Sequence, residues 1–209
     1  MYLFTRTGRL APDAIREGMT QVATITERVR QEAGLEVHTW AATMSPELGA
    51  VVWATFVNSL EELESAGDKL TASESFVELV EAGADLFEGP MRDGLAQVVS
   101  GLPDPAAPLP NYVAVVRATA ANGRFADAMA AGVEIAETAT RITGTPTSFL
   151  VDVTGLYGGV RWNSTFADIA SLERSEAALM ADESWLAMID RLSTCFTTGA
   201  TQSMFRRMT

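Results

Sequence analysis

The sequence predicts an α+β fold: two tandem β-α-β-β-α-β units on one chain, closing a single barrel. Three observations predict it. The first is an internal repeat. Gly34 recurs as Gly144 and Tyr2 as Tyr112, each 110 positions later, and Trp53, Leu63 and Leu70 recur as Trp162, Leu172 and Leu179, each 109 later. The closest match sets Thr71-Ala72-Ser73-Glu74-Ser75-Phe76 against Met180-Ala181-Asp182-Glu183-Ser184-Trp185. Solenoid repeats run about 20–50 residues, so this period is that of a duplicated small domain. The second is the segment Gly101–Pro110, which holds four of the eight prolines. Such a run continues neither a helix nor a central strand and reads as a linker. The units are therefore residues 1–100 and 111–209, joined by 101–110. The third is the order of hydrophobic periods within each unit.

In the first unit, Tyr2 to Thr7 alternates as a strand. Pro12 reads as a helix start, with Asp13 in the first turn. Ile15, Met19, Val22, Ile25 and Val29 step by three and four, so residues 12–33 form an amphipathic helix that Gly34 stops. Leu35 to Met44 and Ala50 to Val57 are strands flanking a turn at Ser45-Pro46-Glu47-Leu48-Gly49. Asn58 or Ser59 caps a helix through about Leu70, and Ser73 caps another carrying Phe76, Leu79 and Val80. Gly94 to Ser100 is the last strand. The second unit repeats this order: a strand at Tyr112–Thr119, a helix at Phe125–Ile142 closed by Gly144, a hairpin at Thr147–Val153 and Gly159–Ser164, helices near 166–180 and 182–191, and a strand near 200–208. This is the ferredoxin-like order. Such a sheet carries its helices on one face, and two copies on one chain can cover each other's bare faces.

Composition excludes several function classes. A hydrophobic fraction of 47% with 20% charged residues describes a folded globular chain. No apolar run reaches the roughly 18 residues of a transmembrane helix, and the N-terminus lacks the layout of a signal peptide. The single cysteine, Cys195, forms no intramolecular disulfide and fits a reducing compartment, so a cytoplasmic location is expected. Net charge is −12, with −10 in residues 1–105 and −2 in residues 106–209. That balance argues against nucleic acid and anionic membrane as partners.

Two segments carry a resemblance: Trp53-Ala54-Thr55-Phe56…Leu60…Leu63 and Gly159-Val160-Arg161-Trp162…Phe166…Ile169…Leu172. Each is followed by a helix and then by Ser73-Glu74-Ser75-Phe76 or Asp182-Glu183-Ser184-Trp185. With the element order, they resemble the dimeric α+β barrel superfamily, and within it the NIPSNAP and antibiotic-biosynthesis-monooxygenase-like families. The resemblance spans both units but rests on short, mostly structural motifs. It implies a barrel assembled from two ferredoxin-like units. It also admits monooxygenases, haem-dependent enzymes and small-molecule binders, among which fold alone does not choose.

Candidate site residues follow from the hairpins. With the first turn centred near residues 46–47, Trp40 opposes Trp53 and His38 opposes Thr55, and alternation places all four on one face. The matching positions in the second unit are Ser148, Leu150, Trp162 and Ser164. This face is bulky, aromatic and mildly polar, as a barrel lumen holding a flat apolar ligand would be; equally, the tryptophans can serve as plain packing. His38, the only histidine, is the candidate general base or axial haem ligand. No Cys/His spacing supports a metal site, and no cofactor is expected. The asparagine, tryptophan and histidine set that the resemblance associates with haem degradation is unmatched, since the first strand offers Thr5 and Arg6 and no asparagine. A cofactor-independent oxygenase would draw on Arg6, Thr55, Gln97, Ser148, Ser164 and Gln202. Glu61, Glu62 and Glu64 read as a solvated helix face, and Glu74 and Glu183 as first-turn carboxylates. Cys195 reads as an inert buried thiol whose counterpart lies near Ala84. The expected function is therefore binding of a small apolar ligand or a protein partner. A cofactor-independent monooxygenase on an aromatic substrate is the alternative, with haem held by His38 ranked third. Either a tandem monomer or a homo-oligomer is compatible with this reading.

Overall fold

The computed structural model describes residues 1–208. Among them, eight strands run antiparallel in the order β1-β3-β2-β8-β5-β7-β6-β4 and close as a barrel. The chain divides into two compact units: residues 1–95 with the C-terminal residues from Arg207, and Ala96–Arg206.

Unit one runs β1 (Tyr2–Arg9), α1 (Ile15–Ala33), β2 (His38–Ala42), β3 (Ala50–Val57), α2 (Leu60–Ala72), α3 (Glu74–Ala82), a 3-10 turn at Ala84–Leu86 and the start of β4 (Arg92–Ser100). The expected elements all form. α1 starts later than Pro12, because Pro12 and Asp13 sit in a turn closed by Ala14 N–H donating to the Ala11 carbonyl. Gly34, at φ +73°, caps the helix by donating to the Arg30 carbonyl, a left-handed position that costs a residue with a Cβ. Ser59 and Ser73 accept N–H bonds from Glu62 and Phe76 at the starts of α2 and α3. Val51, Trp53, Thr55 and Val57 are buried, whereas Val52 and Ala54 are half-buried and Phe56 is exposed. The buried row, through Val51 and Trp53, packs with Val22 of α1, flanked by Met19, Ile25 and Val29.

Unit two holds the rest of β4, then β5 (Tyr112–Thr119), α4 (Phe125–Thr143), β6 (Thr147–Asp152), β7 (Gly159–Phe166), α5 (Ile169–Ala181), α6 (Glu183–Leu192), a 3-10 turn at Ser193–Cys195 and β8 (Thr201–Arg207). Here Asp168 and Asp182 cap α5 and α6. Phe149 of β6 is fully buried against Trp162 of β7, ring centroids 5.4 Å apart. It fits because α4 passes with Gly132 above it: a Cβ there would lie 2.1 Å from the phenylalanine ring.

The same place in unit one is built differently. Thr39 stands where Phe149 does, and Val22 where Gly132 does. The Thr26 and Thr39 hydroxyls bond at 2.7 Å, and Trp53 Nε1 donates to Thr26 Oγ1 at 3.0 Å. Trp162 Nε1 instead donates to the Gly132 carbonyl at 2.9 Å. Each indole N–H is satisfied, as burial of a tryptophan requires.

Candidate functional site

The eight residues expected on one face divide between two. β2 pairs with β3 so that His38 faces Ala54, Thr39 faces Trp53 and Trp40 faces Val52. In unit two Thr147 faces Ser164, Ser148 faces Asn163, Phe149 faces Trp162 and Leu150 faces Arg161. The register differs by one from a turn centred at 46–47, and one residue of slip exchanges the faces of a whole strand. The connection is a wide loop and not a tight turn. Met44 takes φ +45° and Gly49 φ +93°, Glu47 N–H bonds the Ser45 hydroxyl, and Ala50 N–H reaches the Glu47 carbonyl.

Trp53, Thr55, Trp162 and Ser164 therefore lie on the sheet faces covered by their own units' helices. Their polar atoms are engaged there: Thr55 Oγ1 donates to the Glu36 carbonyl at 3.0 Å, and Ser164 Oγ bonds Thr147 Oγ1 at 2.8 Å. His38, Trp40, Ser148 and Leu150 lie on the opposite faces. Ser148 donates to the Gly101 carbonyl, and Leu150 is fully buried.

His38 shares its face with Ala54 and Thr5 in neighbouring strands. Its Nδ1 is buried with no hydrogen-bond partner among the described residues, and its Nε2 lies 3.7 Å from Glu36. Burial holds the imidazole below its ordinary value; Glu36 opposes this, while Arg30 and Arg207 reinforce it. The ring is thus a neutral base near neutral pH.

The corresponding face of unit two carries an ion pair that the sequence did not single out. Arg161, 6% exposed, donates through Nε to Asp152 Oδ1 at 2.8 Å. Their counterparts in unit one are Val52 and Ala42. A charged pair opposite two apolar residues is a signal the repeat contains, visible once the register is known. Beside it, Asn163 Oδ1 is buried without a partner among the described residues.

A concavity lies elsewhere in unit two, between the sheet and its helices. Its volume is about 530 Å³, within the roughly 300–1,000 Å³ of small-molecule sites. Val116 and Ala118 of β5 and Trp162 of β7 form the floor. Ile135 of α4 and Ile189 and Leu192 of α6 form the walls. The segment from Ser193 to Ala200, which links α6 to β8, supplies the rim, including Thr194, Thr197 and Thr198. The Trp162 ring is fixed by its bond to Gly132 and by the Phe196 ring, edge-on at 5.3 Å. None of the thirteen lining residues is ionisable, and none is His, Cys, Met or Tyr. The cleft, open along its exposed rim, can therefore seat an apolar body against its floor and offer hydroxyls to one polar group. It provides no general base and no iron ligand, so the donor set does not fit haem.

Cys195 is buried beside the cleft among Ala128, Met188 and Leu192. Its counterpart is Leu86 and not Ala84: Ala121 N–H reaches the Cys195 carbonyl as Ala11 N–H reaches that of Leu86. Among the described residues no group of three or more His, Cys, Asp or Glu could hold a metal ion, and no helix is long and apolar enough to cross a membrane.

These elements define the dimeric α+β barrel fold, and solved structures share it along the whole chain. A candidate monooxygenase from Fusobacterium nucleatum subsp. nucleatum superposes with TM-score 0.70 at 10% identity, covering 100% of this chain and 92% of its own. An anthrone oxidase-like protein superposes with TM-score 0.66 at 14% identity, covering 100% and 91%. A NIPSNAP family protein of unknown function from Agrobacterium tumefaciens aligns with 46% of this chain and 85% of its own, at 20% identity and TM-score 0.40. No protein-family model and no curated protein matches the chain.

Proposed function

We propose that this protein binds a compact, uncharged, largely apolar molecule in the unit-two cleft, without acid–base catalysis inside it. The observation that carries this reading is the lining: an apolar floor and walls, a hydroxyl rim and no ionisable side chain. A charged ligand would lose its hydration there without gaining a partner. The test is a fluorescence titration with two probes of similar ring size, neutral N-phenyl-1-naphthylamine and anionic 1-anilinonaphthalene-8-sulfonate. The neutral probe is expected to saturate, and the sulfonate to bind at least about tenfold more weakly. Equal binding of both, or none of either, contradicts the reading.

A second reading, a cofactor-independent monooxygenase acting on an aromatic substrate, is favoured by one feature: the neutral, buried, unpartnered Nδ1 of His38, near Trp40 on the face that the unit-one helices leave bare. The names of the two full-length structural neighbours agree with it. Oxygen uptake with anthrone that disappears in His38→Ala would support it, and uptake unchanged in that variant would remove His38 from the reaction. Haem held by His38 is tested by a Soret band that the same substitution abolishes. A protein partner or second copy would find apolar side chains at the hairpin tips, where Tyr157 is 97% and Met44 68% exposed; light scattering of the purified chain reads self-association directly.

A further inference from the structure

Unit one contains the same cleft, and we infer that its own Met91 occupies it. The inference rests on the reading of the unit-two cleft as a ligand site. The two regions superpose in chain terms. The bridge between Leu10 and Phe87 corresponds to that between Ala120 and Phe196. Glu88 N–H reaches the Arg9 carbonyl as Thr197 N–H reaches that of Thr119. Counting on from these fixed points, Met91 stands where Ala200 does, each directly preceding its strand, β4 at Arg92 and β8 at Thr201.

Ala200 lines the unit-two cleft, as does Ala118 on its floor. In unit one the floor position is Gly8, and the Met91 thioether lies directly over it. A Cβ on Gly8 would come within 2.5 Å of Met91 Sδ and 3.0 Å of the Phe87 ring. The floor tryptophan and its neighbouring phenylalanine are kept, with Trp53 and Phe87 at 6.0 Å. The paired differences are complementary: the unit that gains a methionine at the rim loses the floor methyl group, and the unit with the floor methyl group has only alanine at the rim. An unbranched thioether is well suited to filling an irregular apolar gap. Met91 thus stands in for the ligand, and position 200 sets how much of one the unit-two cleft accepts.

The rest of the lining has diverged in the same sense. Val116 is replaced by Arg6, whose guanidinium pairs with Asp93 at 2.7 and 2.8 Å. Leu192 is replaced by Gly83, over which the Gln21 side chain lies, donating to the Leu79 carbonyl at 2.6 Å. These polar groups are satisfied at the edges of the seam, and the part that Met91 fills lies over Gly8 beside Phe87.

The experiment is the stoichiometry of N-phenyl-1-naphthylamine binding to the full chain and two variants. We expect one site per chain in the natural protein, two in Met91→Ala and none in Ala200→Met. Met91 is 39% exposed and Ala200 is exposed, so both variants should fold; far-ultraviolet circular dichroism and melting temperature verify this before titration. If the natural chain binds one probe and Met91→Ala still binds one, the plug is refuted while the cleft reading stands. If Ala200→Met still binds one, the equivalence of the two rim positions is refuted. If the natural chain binds none, the cleft reading fails. In that case a single site in Met91→Ala still supports the plug, and none there overturns it too.

Discussion

At the seam between sheet and helices, unit one sets Met91 over Gly8, Gln21 over Gly83, and an Arg6–Asp93 pair at the edge. Unit two sets alanine, leucine and valine at the corresponding places and leaves about 530 Å³ between them. On the opposite face the asymmetry is reversed. Unit one sets Trp40, Val52 and Ala42 beside the neutral His38, whereas unit two buries the Arg161–Asp152 pair at the places of Val52 and Ala42. The lesson is that duplication conserved what holds each unit together, the caps, the indole on β3 or β7 and the helix stop. It freed whatever lines a space. At the seam one unit fills the space with its own side chains, while the other leaves it open.

Asp152→Ala strands a buried guanidinium and should destabilise the protein by about 3–5 kcal/mol. Adding Arg161→Val, which installs the unit-one residue, should recover most of that loss. Urea denaturation of the two variants checks it; a single variant within about 1 kcal/mol of the natural chain would show that the pair is not structural.

Next is the tryptophan seat. Gly132→Val forces a side chain into the Phe149 ring and should cost about 1–3 kcal/mol or more. Combining it with Phe149→Thr recreates the unit-one pairing and should be less destabilising than the sum of the two changes. Strict additivity would show that Val22/Thr39 and Gly132/Phe149 are not alternative solutions of one packing problem. In unit one, Thr26→Val leaves the Trp53 N–H and the Thr39 hydroxyl without their partner, at about 1–2 kcal/mol, measurable as a fall in melting temperature.

The smallest effect concerns acid. Asp168 is held below the ordinary carboxylate value mainly by the Ser171 N–H, and Asp182 by the Ser184 hydroxyl and then the Trp185 N–H. A depressed folded value means that their contribution is complete above the unfolded value of about 4 and is lost as pH falls through the folded value. Unit one caps the same helices with serines, which do not titrate. Asp168→Ser with Asp182→Ser should therefore flatten the dependence of melting temperature on pH below about 4. An unchanged slope would place the acid sensitivity elsewhere.

Much of the fold was legible because caps and periods are local. Gly34 and Gly144, Ser59, Ser73 and Asp182, and the alternation of β3 all act within a few residues of where they stand. The candidate site was less legible because faces depend on register, and register depends on a loop. Nothing in Thr43–Gly49 announces that Met44 adopts positive φ, and the register reached through that loop separates Trp53 from His38; in unit two the connection runs through Gly155 and Gly158, also at positive φ, and separates Trp162 from Leu150. The cleft was missed for a related reason. Its decisive residues, Ala200 and Met91, lie in irregular segments before the last strands, where hydrophobic period carries no information. The repeat nonetheless contained the signal, since aligning Phe87 with Phe196 pairs a methionine with an alanine four residues later.

The most direct measurement is hydrogen exchange by mass spectrometry with and without saturating N-phenyl-1-naphthylamine. Binding should slow exchange in peptides spanning residues 189–200 and leave those spanning 80–91 unchanged. Equal protection in both segments, or protection confined to residues 80–91, would contradict the assignment of the open site to unit two and of the filled one to unit one.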